Sequence, residues 1–322
     1  MYLDTPPTLV ESTIFTTMPE SLRRGSQGSA WARANKPGQS VDSFIEGPAF
    51  DNEGNLYIVD LPFGRIFRIT PDAQWQLVTE YDGEPNGLKF DHNGTIIVAD
   101  YRRGLVRVDP ATGGTEPLLE RRNAESFKGV NDLTIASTGE IYFTDQGQTG
   151  LHDPTGRVYR LHPDGRLNCL MDNLPSPNGL VLDLEEKNLF VAMTRDNSVW
   201  RAPLTSTGGV SKVGRFCTMF GTSGPDGMAI DEQGRIHVAH ASLGQVFVFA
   251  PNGECVARVR SAAGPTCTNV AFGGPDRTTL YITESSTGTL LQAALEFPGM
   301  ELPRPPRSSA HHTPTTKNGT ST

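Results

Sequence analysis

The chain has no run of about 18 apolar residues, the shortest that a membrane-spanning helix needs. Residues Met1–Glu20 lack the basic flank and apolar core of a secretory signal. Cysteine is scarce: Cys169, Cys217, Cys255 and Cys267 have no CxxC spacing, which argues against a disulfide framework or a cysteine zinc site. Positive charge is also short. A formal net charge of −8 is the wrong sign for a nucleic-acid partner, which needs clustered Lys and Arg. No G-x-S-x-G elbow is present, so no serine nucleophile of that type is expected. Helical periodicity is missing at any useful length. These absences together lead us to expect a reduced, cytoplasmic protein without nucleic-acid or membrane partners, monomeric or weakly homo-oligomeric.

Glycine (34) and proline (24) are plentiful, as many tight turns and short strands require. Their placement is periodic. Ser176-Pro177-Asn178-Gly179-Leu180-Val181-Leu182-Asp183 recurs as Pro85-Asn86-Gly87-Leu88 and as Pro225-Asp226-Gly227-Met228. Looser copies begin at Ile45-Glu46-Gly47, Val130-Asn131-Asp132 and Cys267-Thr268-Asn269. The aligned polar residues are Glu46, Asn86, Asn131, Asn178, Asp226 and Thr268, separated by 40, 45, 47, 48 and 42 residues. Each copy is followed by a Gly- or Asn-containing turn, a β-branched strand such as Leu56–Val59 or Ile96–Ala99, a strand opening after glycine, and a fourth strand. Four short strands at this period mark a propeller blade. The predicted fold is all-β: a six-bladed β-propeller of four-stranded antiparallel blades around a central channel. Its body spans 46–298. Residues 1–18 form a closing strand segment, 19–45 a loop or lid, and 299–322 a disordered tail rich in Pro, Ser, Thr and His.

Innermost strands line the channel, so the six aligned residues should meet near one mouth. Carboxylates crowded there repel one another unless a cation is present. Oxygen donors of mixed charge suit one divalent cation, calcium first, with magnesium or manganese as other occupants and zinc disfavoured by the lack of a His or Cys cluster. Glu46, Asn178 and Asp226 are the first-choice ligands, and Asn131 completes the shell directly or through water. Asn-Gly and Asp-Gly are common turn pairs, but a plain turn does not call for Glu46. A second set ends the second strands: Asp60, Asp100, Asp145, Met193, His240 and Glu284. Structural bonding to loop amides accounts for such aspartates. Asp145 and the titratable His240 are also expected substrate contacts.

Ile45-Glu46-Gly47-Pro48, Gly129-Val130-Asn131-Asp132, Ser176-Pro177-Asn178-Gly179 and Gly224-Pro225-Asp226-Gly227-Met228, in that order, resemble the SMP-30/gluconolactonase/LRE-like family over roughly residues 40–295. The resemblance implies a six-bladed propeller, a metal held by Glu46, Asn178 and Asp226, and hydrolysis of a small lactone of sugar or secondary-metabolite type. It gives Asp226 the role of candidate general base. It places Asn131 against substrate or a water at the metal, and Asn86 at the channel rim beside substrate. Sugar-lactone members carry an arginine two residues before the motif asparagine. This chain has Gly129 there, with Lys128 adjacent. Tyr101, Gln146, His152, Met219, Phe220 and the 19–45 loop are expected to shape the substrate rim. Two other readings keep the propeller: a strictosidine-synthase-like cyclase or isomerase without the metal, and a non-catalytic ligand-binding module.

Overall fold

The computed structural model describes residues 3–25 and 28–300. Most of the proposed tail, residues 301–322, lies outside the described residues. Six blades are present. Blade 1 runs Ile45–Phe50, Leu56–Asp60, Arg65–Ile69 and Trp75–Glu80 from the channel outward. Blades 2 to 5 repeat this order, with innermost strands Pro85–Phe90, Val130–Ile135, Pro177–Leu182 and Pro225–Ile230. Blade 6 has three strands from the end of the described chain, beginning with Cys267–Gly273. Its outer strand is Thr13–Thr17, antiparallel to Thr289–Ala294. Thr8–Glu11 lies parallel on the outer edge of blade 5. The two N-terminal strands are broken at Ser12, whose hydroxyl donates to the Arg260 carbonyl (2.6 Å) as the chain steps between blades. The indole N–H of Trp75 donates to Thr16 Oγ1 (3.1 Å), tying the same segment to blade 1.

Each blade is covered by its neighbours on both faces. The second strands of blades 1, 2, 3 and 5 are therefore buried along their whole length and those of blades 4 and 6 along most of it, so they read as largely apolar runs rather than alternating ones. Apolar clusters fill the spaces between blades. Tyr57, Val59 and Ile66 of blade 1 meet Leu88, Ile96 and Val98 of blade 2, and Leu290 of blade 6 meets Ile45, Ile58 and Phe67 of blade 1. Among the described residues no helix is long and apolar enough to cross a membrane.

Two repeated devices point the fold at one end of the channel. Every innermost strand carries a register irregularity at or just after the aligned polar residue. A bulge there re-aims the side chain out of the plane of the blade. The second device is the set of acids ending the second strands. Asp60 accepts the Phe44 N–H (2.8 Å), Asp100 that of Glu84 (2.9 Å), Asp145 that of Gly129 (2.8 Å) and Glu284 that of Thr266 (3.1 Å). Each accepted N–H lies two residues before an aligned polar residue. These acids hold in place the loops that deliver Glu46, Asn86, Asn131 and Thr268. Asp60 is also paired with the buried guanidinium of Arg65.

Removing Asp60 strands the Arg65 charge in a dry interior. Asp60→Ala is expected to cost about 3–5 kcal/mol, read as a shift in the urea midpoint. A loss of under ~1 kcal/mol would show that the pair does not hold blade 1.

Candidate metal and active site

The bulged strands bring Glu46, Asn131, Asn178 and Asp226 to the channel, all of them buried. The Asn131 amide nitrogen donates to Gln146 Oε1 (2.9 Å), and Gln146 in turn donates to Ser176 Oγ (3.0 Å). That leaves the Asn131 carbonyl oxygen for a ligand. The Asn178 side chain lies near enough to Asp226 to favour its charged form, and the Asn178 backbone carbonyl accepts from Thr144 Oγ1 (2.9 Å). Asn86 is buried at the start of its strand.

Two channel residues were not anticipated from the sequence: Asp132 and Asn269. They occupy the position after the aligned polar residue, which is glycine in the other four blades (Gly47, Gly87, Gly179 and Gly227). The glycines make room for them. A Cβ on Gly87 would sit 2.4 Å from Asp132 Oδ1, and one on Gly227 would sit 2.0 Å from Asn269 Cγ. Asn269 Nδ2 donates across the channel to Glu46 Oε2 (2.9 Å) and to Asp132 Oδ2 (3.3 Å). Its Oδ1 accepts the Val270 N–H (2.9 Å). Thr268, the aligned residue of blade 6, bonds mainly within the wall, to Thr283 Oγ1 (2.9 Å) and Ser285 Oγ (2.7 Å). The break in the glycine pattern at Asp132 and Asn269 was the available signal.

Three carboxylates thus lie close to dry, with Glu46 and Asp132 each 4 % exposed and Asp226 9 %. Among the described residues none of the three has an ion-pair partner within 4 Å. Burial first, then the charge of Asp132, pushes the Glu46 carboxyl up to about 7. Burial, then Glu46 and then Asp132, raises Asp226 well above the usual carboxylate range, against weaker opposition from Asn178 and Lys36. Asp132 is raised by burial and held back mainly by the positive charge of Lys89. Among the described residues no three His, Cys, Asp or Glu side chains gather into a metal cluster. The donor set that does converge is two carboxylates and amide oxygens, and its unbalanced negative charge fits a hard divalent cation.

The mouth has a partial cover. Within the 19–45 segment, read from sequence as irregular, residues Ala30–Asn35 form a short helix capped by Ser29 Oγ, which accepts the Ala32 N–H (3.0 Å). Trp31 and Ala32 pack with Leu61, Val41 and Phe44. Gln148 Nε2 donates to Asn35 Oδ1 (3.0 Å) and to the Tyr101 hydroxyl (2.9 Å), fastening the cover to the rim. The Lys36 ammonium stands 5.3 Å from the Phe44 ring centroid. The structure does not bring Asp145 and His240 into this group. Asp145 is fully buried at the Gly129 loop, and His240 bonds the Phe220 carbonyl through Nε2 (2.8 Å) and accepts the Ser242 N–H at Nδ1 (3.3 Å).

The family model for the SMP-30/gluconolactonase/LRE-like region matches residues 44–286. The chain belongs to that family. It is 32 % identical over 272 residues to the gluconolactonase of Zymomonas mobilis, covering 74 % of this chain and 76 % of the relative. It is 27 % identical over 241 residues to lactonase drp35 of Staphylococcus aureus, covering 71 % and 72 %. The fold is shared with regucalcin, a calcium-binding protein of Agrobacterium tumefaciens, at TM-score 0.72 and 19 % identity over 93 % of this chain and 99 % of that one.

Glu46 gives this family member a pH signature when metal-free. Its native pKa of about 7 lies above the ordinary 4.5, so between these values the folded state holds the proton more tightly than the unfolded chain does. The associated stability is complete below the ordinary value and is lost as pH rises toward 7. Chelator-treated protein should lose Tm from about pH 5 to about pH 7.5, and excess calcium should remove the slope. A flat profile without metal contradicts the burial argument. The channel packing has its own check. Gly227→Ala should cost about 1–3 kcal/mol, and most of that cost should vanish in an Asn269→Ala background in a double-mutant cycle.

Proposed function

We propose that the protein is a divalent-cation-dependent lactonase that opens the ester of a small lactone to its hydroxy acid. The observation that carries this reading is the convergence of the buried oxygens of Glu46, Asn178 and Asp226 at one channel mouth, with no ion-pair partner among the described residues. The names of the Zymomonas and Staphylococcus relatives support the activity, and that of regucalcin supports calcium as the first choice of cation. A metal-free condensing enzyme would leave Glu46 and Asp226 unbalanced for no purpose.

Glu46, Asn178 and Asp226 would hold the cation, with the Asn131 carbonyl oxygen directed to the same space. Bound there, a divalent cation supplies Lewis-acid polarisation of the lactone carbonyl. Asp226 is the general base, taking a proton from the attacking water. Burial, with Glu46 and Asp132 nearby, raises its affinity for a proton above that of an ordinary carboxylate, in the direction a base requires. Asn178, beside Asp226, favours its charged form. Asn131, fixed by Gln146, and Asn86 position the lactone. Asp145 and His240 serve this site from behind, by holding the Gly129 and Phe220 segments of the rim. With Gly129 where sugar-lactone relatives resemble one another in carrying arginine, and with Tyr101 and the exposed Phe220 on the rim, the substrate is a lactone less polar than a sugar.

A panel of γ- and δ-lactones, assayed by acid release after chelation and separate restoration of calcium, magnesium, manganese and zinc, tests this reading. Calcium should restore most activity. Folded protein inactive with every metal would sink the lactonase assignment. Asp226→Asn should lower kcat/KM by about 10²–10⁴-fold. Undiminished hydrolysis by that variant would remove Asp226 as base while leaving the class intact.

A further inference from the structure

The channel has a second end, and it is built differently. Three residues beyond the aligned polar position, the innermost strands present Ala49, Lys89, Thr134, Val181, Ala229 and Ala271. Five of the six are small or apolar, and one is a lysine. All six line a cavity of about 380 Å³. The cavity reaches the turns that follow the innermost strands, including Asp51–Glu53, so it opens at the mouth opposite Glu46 and Asp226. Asn269 and Asp132 lie across the channel between the two ends.

The chemistry of this cavity is that of an amphipathic site. Phe50, Phe90, Phe272, Met228 and Met300 give it apolar walls. Apart from one lysine, the cations and the aspartates at its edge are already satisfied, and the exposed Glu53 carboxylate accepts from Asn55 Nδ2 at 3.5 Å. Asp51 accepts the N–H groups of Glu53 and Asn55, and Asp91 those of Asn93 and Thr95. Arg68 donates to Gln76, and Arg277 to Glu232 and the Gly299 carbonyl. Lys89 is the exception. Among the described residues its ammonium has no hydrogen-bond or ion-pair partner, and Asp132 is felt only at longer range. A half-buried ammonium with three free donors, set in apolar surroundings, is well matched to one anionic head group on an apolar body.

We propose that this cavity binds a small monocarboxylate with an unbranched apolar tail, the Lys89 ammonium holding the carboxylate and the Phe50, Phe90 and Phe272 rings enclosing the tail. The volume falls in the range of small-molecule sites and suits an acid of about eight carbons. The site is separate from the metal candidates, so its ligand and the substrate do not compete.

Octanoate is the probe, titrated into the full-length protein by calorimetry, with octanol and octylammonium as head-group controls. One site is expected for octanoate, with octanol at least about tenfold weaker and octylammonium unbound. Lys89→Met should weaken octanoate at least about tenfold, Lys89→Arg should retain it, and Ala229→Leu should exclude it by filling the cavity. Asp226→Asn should bind it unchanged. Octanoate that fails to bind, binds Lys89→Met equally well, or is lost with Asp226→Asn overturns the proposal. So does binding seen only after the chain is cut behind Met300, which would assign the cavity to residues 301–322.

Discussion

Glu46 and Asp226 are drawn out of water into one narrow channel, with Asp132 beside them and, among the described residues, no ion pair to balance them. That repulsion is the constraint on which the rest of the structure turns. A chain does not collect buried carboxylates spontaneously, because each raises the cost of ionising the next. They stay together only if the scaffold holding them is stiffer than their mutual push. The propeller provides this stiffness by burying both faces of every blade and by closing its ring through Thr13–Thr17.

The scaffold meets the constraint locally as well. Asn269 reaches across and gives one amide to both Glu46 and Asp132, so two acids share a donor. Room for that crossing exists because Gly47, Gly87, Gly179 and Gly227 carry no side chain where Asp132 and Asn269 do. One level out, Asp60, Asp100, Asp145 and Glu284 clamp the loops from which the channel residues emerge. The channel is therefore organised in layers: oxygens at one mouth, an amide–carboxylate crossing beneath them, and an apolar chamber with a lone lysine at the far end.

The mouth is partly covered by the segment before blade 1. Its short helix is anchored by Trp31 and held to the rim through Gln148, and it brings Lys36 close enough for its charge to act on Asp226.

Period and composition in the sequence by themselves determined the propeller, because six copies of one turn-and-strand phrase admit few other architectures. The same alignment singled out Glu46 and Asp226, since carboxylates at a turn position need a reason beyond the turn. Asp132 and Asn269 stayed hidden because their role is a contact across the ring, between residues 137 positions apart. Asp145 and His240 read as site residues because strand position predicts proximity to a mouth, whereas the direction of a side chain depends on which backbone groups lie within its reach. The helix Ala30–Asn35 is too short for periodicity and exists through its Ser29 cap and the packing of Trp31. Only the tertiary structure decided that the channel is divided, because a division is made by side chains meeting from opposite blades, and no single stretch of chain contains both halves of that contact.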